Sequence, residues 1–338
     1  MPGRFGTHVS MRTHTLLATP LVALLALAFA TAPAQAATTE PSNSMAEGVS
    51  MIQGQMVSNP VSAKILIEAY WTPERMRAAR PVEKPLPIED PALELRDRPG
   101  RVGTPRSAAV PAGPETSGTQ GIQAVNASPG VGKVFFTDSD GDDWVCSGST
   151  INNPTKNMVS TAGHCVHEGD GGEWMENWAY VPLYNYGAAP HGVWAAKSFT
   201  SVKGWTKWGY SWWDFGFATM WTNNGVKLVH KTGGQGISFN YGKWISVTLL
   251  AYPSAAPFDG GWMQYCQGSM YPKGFQQVGF NCLLTGGASG GPFLRAWDND
   301  LKFGYTNSVI AWGPDDKNFG PYFDNDVLDI YNAAKNKS

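Results

Sequence analysis

Charge is scarce in this chain. Asp, Glu, Lys and Arg make up 15% of its 338 residues, well under the usual quarter, and the formal net charge is −2. That leaves no electrostatic footprint for nucleic acid or an anionic membrane. Cysteine is equally sparse: Cys146, Cys165, Cys266 and Cys282, all in the last two thirds. Their spacings are far from C-x-x-C, which argues against a zinc ribbon. An even number fits two disulfides in an exported protein. Histidine occurs only at 8, 14, 164, 167, 191 and 230, so none lies beyond residue 230. His164 and His167 lack a third and fourth ligand at suitable spacing, so no metal is expected. Beyond the first 36 residues no segment is apolar and long enough to span a bilayer.

The N-terminus reads as an export signal. Arg4, His8, Arg12 and His14 precede an apolar run from Leu16 to Ala30, and Ala34-Gln35-Ala36 supplies a small-x-small cleavage site. Residues 1–36 are therefore expected to be a secretory signal; translation starting at Met11 would preserve all it needs. Residues 37–120 differ in character from the rest of the chain. Ser44 to Tyr70 mixes apolar and polar residues and is compatible with one or two helices. From Pro73 the composition turns to Pro, Arg, Glu and Ala, which favours extended chain. This stretch holds only one of the fourteen tryptophans, Trp71. A removable pro-segment with a Pro-rich tail is expected, the other reading being a permanent stalk.

Residues 121–338 carry a β pattern and are expected to form one domain. Val131–Thr137 and Trp144–Ile151 flank an acidic Asp138–Asp143 stretch whose Asp-Gly step signals a hairpin. An EF-hand count from Asp138 places Ser149 where a bidentate Glu is needed, so a solvated turn is the reading, not a calcium loop. Further strand-like runs lie at 178–183, 194–199, 215–221, 244–251, 279–284 and 303–311. Short strands at this spacing point to an all-β sandwich or barrel. Only 324–335 looks helical, with Val327, Leu328, Ile330 and Tyr331 near one face.

Three short stretches carry chemistry. Thr285-Gly286-Gly287-Ala288-Ser289-Gly290-Gly291-Pro292 displays one hydroxyl among glycines. That suits a nucleophile beside free backbone N–H groups, although it also suits a Gly-rich surface loop. Thr161-Ala162-Gly163-His164-Cys165 anchors a histidine beside a half-cystine. Trp213-Asp214-Phe215-Gly216 places a carboxylate among aromatics, where an unpaired charge would be costly and a histidine partner removes the conflict. Gly287–Gly291 also fits the G-x-S-x-G elbow of α/β-hydrolases, whose histidine comes after the serine. No histidine comes after Ser289. The order His164, Asp214, Ser289 is the one used by the chymotrypsin-like double barrel.

On these residues the chain from about Gly121 resembles a chymotrypsin-like serine peptidase, nearest the secreted bacterial branch of V8-type glutamyl endopeptidases. Cys146-Ser147-Gly148-Ser149 matches that family's strand leading to a disulfide, and Ala69–Met76 resembles pro-regions of actinobacterial members. The resemblance implies a double six-stranded antiparallel β-barrel with a C-terminal helix. It makes Ser289 the nucleophile, His164 the base, Asp214 its orienter, and the Gly287 and Ser289 N–H groups an oxyanion hole. It implies disulfides Cys146–Cys165 and Cys266–Cys282. Ser308 matches the family serine near the catalytic aspartate, with a competing alignment through Ala311-Trp312-Gly313.

Two departures stand out. Ala288 replaces the aspartate that captures a freed N-terminus in animal digestive relatives. Leu283 stands where trypsin-like enzymes are acidic, and Leu284 stands where glutamyl endopeptidases carry Thr or Ser. A pocket lined by Leu283 and Leu284 implies an apolar or small residue before the scissile bond. The expected protein is thus a secreted, monomeric serine endopeptidase acting on proteins or peptides, with no cofactor and no nucleic-acid or membrane partner. The competing readings are a non-catalytic exported binding protein, using the aromatic surface around Gly204–Trp213, and an esterase with the same triad.

Overall fold

A computed structural model describes residues 42–84, 101–115, 127–274 and 276–338. The expected signal peptide and much of the Pro-rich tail lie outside the described residues. Six strands, Val131–Thr137, Asp143–Ile151, Met158–Thr161, Gly216–Met220, Trp194–Val202 and Glu176–Pro182, pair antiparallel in that order. The last pairs back with the first, closing a barrel without free edges. Its first hairpin turns at Gly141 (φ +85°), and Asp138 accepts the Asp140 and Asp142 N–H groups at 3.1 and 2.9 Å. The acidic stretch therefore satisfies itself as a turn. Val134, Phe136, Trp178, Tyr180, Trp194 and Phe199 fill the interior.

A second sheet runs Gln264–Ser269, Ser246–Ala251, Pro292–Asp298, Phe303–Val309, Gly236–Phe239 and Arg106–Ala109. Beside it Gln277–Asn281 pairs antiparallel with Lys317–Pro321. The fold is that of the chymotrypsin-like proteases, as the sequence implies. Asn325–Ala334 is the C-terminal helix. Asp324 caps it by accepting the Asp326 and Val327 N–H groups, and Val327, Ile330 and Tyr331 are buried beside Phe217 and Phe239.

The strands expected at 131–137, 144–151, 178–183, 194–199, 215–221, 244–251, 279–284 and 303–311 are present, with ends shifted by up to three residues. The strands at 158–161, 236–239, 264–269, 292–298 and 317–321 gave no separate sequence signal. Apart from the seven-residue Pro292–Asp298, they are short or carry Gly, Ser and Asn, and tertiary pairing rather than propensity holds them extended.

The segment before residue 121 is structured where described. Its strand Met45–Val49 adds antiparallel to Trp194–Val202. Helices Pro60–Tyr70 and Pro73–Ala78 come next, each with proline in the first turn and capped by Asn59 and Thr72. Trp71 is 2% exposed, contacts Phe135 and donates its indole N–H to Asn177 O at 2.6 Å. Arg75 is paired with Asp143 at 2.5 Å. Arg80–Pro81 then runs parallel to Trp144–Val145, and this pairing carries Val82–Lys84 toward the Gly-rich loop.

Candidate active site

His164 sits in a 3₁₀ turn, Gly163–Cys165, directly after the strand Met158–Thr161. The disulfide Cys146–Cys165 ties that turn to the neighbouring strand, and Cys266–Cys282 is the second pair, so both pairings agree with expectation. Asp214 closes another 3₁₀ turn, Ser211–Trp213, just before Gly216–Met220. Since Gly216–Met220 pairs with Met158–Thr161, the two turns emerge side by side. Asp214 is fully buried and makes two bonds to one residue. Its Oδ1 accepts the His164 backbone N–H and its Oδ2 meets His164 Nδ1, both at 2.8 Å. Two-point attachment fixes the imidazole plane and leaves Nε2 facing the other way. Gly163 permits this approach, because a Cβ there would lie 2.9 Å from Asp214 Oδ1 and 2.8 Å from Trp205.

Ser289 enters from the second sheet. Its carbonyl accepts the Ser147 N–H at 2.7 Å and lies against Cys165 Sγ at 3.7 Å, so the Gly-rich loop and the histidine turn share one strand and one disulfide. Gly290 (φ +83°) fits flush on Thr161 and Ser147 and donates to Ile310 O at 2.7 Å. Ser147 Oγ further clamps the loop by donating to Gly287 O at 3.0 Å. Ser289 Oγ and His164 Nε2 are both buried, and neither has a hydrogen-bond partner within the protein. Gly287 (φ +87°) turns its N–H outward, where it donates to the carbonyl of Val82 at 2.9 Å.

The remaining site expectations fare differently. Leu284 packs in the second core with Leu249, Val278 and Phe293, while the Leu283 side chain is 46% exposed. Ser308 Oγ donates to Pro321 O at 2.8 Å and makes no hydrogen bond to Asp214. Ile310, bonded to Gly290, brings Ala311-Trp312 next to the loop instead. His167 accepts the Gly169 N–H at 2.9 Å and stacks edge-on with Trp174; burial lowers its pKa. Among the described residues, Cys146, His164 and Cys165 form the one cluster with metal-ligand spacing, but its two sulfurs are bonded to each other. The residue that sequence reasoning missed is Val82, whose role has no motif.

Known proteins agree with this architecture. The thermostable serine protease AL20 from an extremophilic microorganism is 34% identical, with 62% of this chain and 99% of that one covered at a TM-score of 0.59. Protease Anisep from Arthrobacter nicotinovorans is 36% identical over 63% and 98% of the two chains, again with a TM-score of 0.59. A Glu endopeptidase shares the fold at 18% identity and a TM-score of 0.52, covering 64% of this chain and 96% of that one. The chain belongs to the chymotrypsin-like serine proteases. An extracellular metalloprotease of Bacillus subtilis (strain 168) is 40% identical over 62 residues; that match takes in 18% of each protein. No family profile matches the chain. No helix among the described residues is long and apolar enough to cross a membrane.

Proposed function

We propose that the protein is a secreted serine endopeptidase, made with a signal peptide at 1–36 and a pro-segment over 37–120, and that it cleaves peptide bonds through an acyl-enzyme. The observation carrying this reading is the doubly anchored His164–Asp214 pair, with Ser289 buried and its carbonyl 3.7 Å from the sulfur of the adjoining Cys165. In the reaction Ser289 Oγ attacks the substrate carbonyl while His164 Nε2 takes its proton. Asp214 stabilises the imidazolium that forms. The N–H groups of Gly287 and Ser289 receive the oxyanion, and the imidazolium returns its proton to the leaving amine. Water repeats the sequence on the ester and releases the acid. The enzyme is read as a monomer acting on protein or peptide substrates, its export supported by two disulfides and the N-terminal signal pattern.

A fluorophosphonate probe on the processed protein tests the reading. Ser289 should be the labelled residue, and Ser289→Ala or His164→Ala should lower kcat by on the order of 10⁶. Casein cleaved by Ser289→Ala at the parent rate would overturn it. A pure binding protein would not be labelled, and an esterase would be labelled without cutting casein.

A further inference from the structure

Two residues beyond the Val82 carbonyl, the Lys84 side chain enters a pocket between the stretch 282–286 and the stretch 313–318. These walls are stitched together: Leu284 N–H donates to Asp315 O at 2.9 Å, Cys282 N–H to Asp316 O at 3.0 Å, and Asn318 Nδ2 to Cys282 O at 2.8 Å. Lys84 is only 7% exposed. Its Nζ donates to Pro314 O at 2.9 Å, and to Lys317 O and Asn318 Oδ1 at 3.3 Å each. We propose that this pocket is the enzyme's primary specificity site, that it is built for a lysine side chain, and that Lys84 occupies it as a built-in competitor. The proposal rests on the endopeptidase reading above and names its substrate class.

Position carries the first part of the argument. The pocket wall runs straight into Gly287 and Ser289, and the inserted segment spans from the oxyanion donor to the pocket floor in two residues. A Cβ on Gly286 would come within 2.9 Å of Val82 O and 3.5 Å of Glu83 Cα, so glycine there leaves room for a backbone passing at contact distance.

Chemistry carries the second. An ammonium has three donors and no acceptor, and the pocket presents three oxygens converging on one point. A planar guanidinium spreads five donors in a fixed fork and does not converge so. A carboxylate would meet only oxygens. A leucine would reach the floor with no donor and leave buried acceptors unpaired, a loss that discriminates strongly. Burial pushes the Lys84 amine down to about 8, while Asp315, Asp316 and Glu83 pull the other way, so the ammonium form persists at neutral pH. An acidic residue six before the nucleophile is therefore unnecessary for recognising lysine here, and Leu283 does not exclude it.

The occupant is not a substrate in this pose. The carbonyl bonded to Gly287 belongs to Val82, whereas a substrate places the carbonyl of the pocket residue itself there. The bond after Lys84 leads to Pro85, and the carbonyl of that bond is not the one in the hole.

The test uses the full chain and its Lys84→Ala and Lys84→Met variants, the second keeping much of the apolar stem should the first fail to fold. Matched fluorogenic peptides carry Lys, Leu or Glu before the scissile bond, and Ser289 is labelled in parallel with the fluorophosphonate probe. Both variants should label at least tenfold faster than the parent and cleave the Lys peptide at least tenfold faster than the others. Labelled variants that cleave the Leu or Glu peptide as fast overturn the lysine pocket and leave the hydrolase standing. Processed protein with no labelling in any form overturns the hydrolase. Binding is read independently of catalysis from melting temperature with n-butylamine. It should raise the Tm of Lys84→Ala by at least 2 °C and leave the parent unmoved; equal shifts overturn the pocket.

Discussion

The carbonyl of Val82 and the N–H of Gly287 are joined by a 2.9 Å hydrogen bond, so the donor proposed above for the oxyanion is already engaged by the chain's own N-terminal segment. The full chain should therefore hydrolyse peptides at least a hundredfold more slowly than the processed protein. Initial rates before and after processing, with mass spectrometry of the new N-terminus, measure this. Equal rates would mean that Val82 is displaced freely by substrate.

Trp71 is an apolar anchor of that segment, buried against Phe135 with its indole N–H satisfied by Asn177 O at 2.6 Å. Trp71→Ala removes a large aromatic contact, which costs about 3–5 kcal/mol in a well-packed site. The expected outcome is early activity from the unprocessed chain, raised by one or more orders of magnitude. Unchanged latency together with unchanged stability would show that other contacts hold the segment.

Asp214→Asn preserves an oxygen for the His164 backbone N–H but turns an NH₂ toward Nδ1. The imidazole then carries its proton on the nitrogen that must accept one, and kcat should fall about 10⁴-fold with KM little changed. Steady-state kinetics on a single peptide suffice. A loss under tenfold would remove Asp214 from the mechanism.

Gly163→Ala tests the approach that makes the pair possible. The new methyl lies 2.9 Å from Asp214 Oδ1 and 2.8 Å from Trp205, so the pair must separate or Trp205 must move. At least a tenfold fall in kcat is expected from a protein with intact disulfides and near-native circular dichroism. Full activity would show that the turn relaxes without disturbing the histidine.

Asp324 supplies a pH dependence of stability. Burial, helped by the neighbouring Asp326 charge, pushes its carboxyl up from 3.8 to about 6. The folded state therefore keeps a proton that the unfolded state has lost. Stability should fall as pH rises from about 4 to 6 and level off above, by about 3 kcal/mol in all. Asp324→Asn keeps an oxygen for the Asp326 and Val327 N–H groups and should flatten that slope relative to the parent in urea titrations. Parallel curves from pH 4 to 7 would sink the assignment.

Much of the fold was legible because its longest strands are written in Val, Phe and Trp between Gly- and Asn-rich turns. Val131–Thr137 is read to the residue, since Val131, Val134, Phe135 and Phe136 favour a strand and the Asp-Gly turn marks its end. Gly236–Phe239 and Lys317–Pro321 were not legible, because their extended state comes from neighbours distant in sequence. His164, Asp214 and Ser289 were legible through order and local motif. The expected roles of Leu283, Leu284 and Ser308 rested on counting back from Ser289 or on alignment, and counting does not say which way a side chain points. The structure turns Leu284 into the core, Leu283 to solvent and Ser308 toward Pro321.

The sequence by itself singled out His164, Asp214 and Ser289 and fixed their order along the chain. Each needs a local setting that only a few residue types supply: a glycine beside His164, an aromatic strand behind Asp214, glycines on both sides of Ser289. Tertiary structure alone decided what fills the site. Val82 and Lys84 lie more than two hundred residues from Gly287 and Asn318, in a stretch whose composition suggests only extended chain. Their placement results from strand pairing at Arg80–Pro81 and the burial of Trp71. Such long-range contacts depend on how two surfaces meet, and no local pattern encodes that.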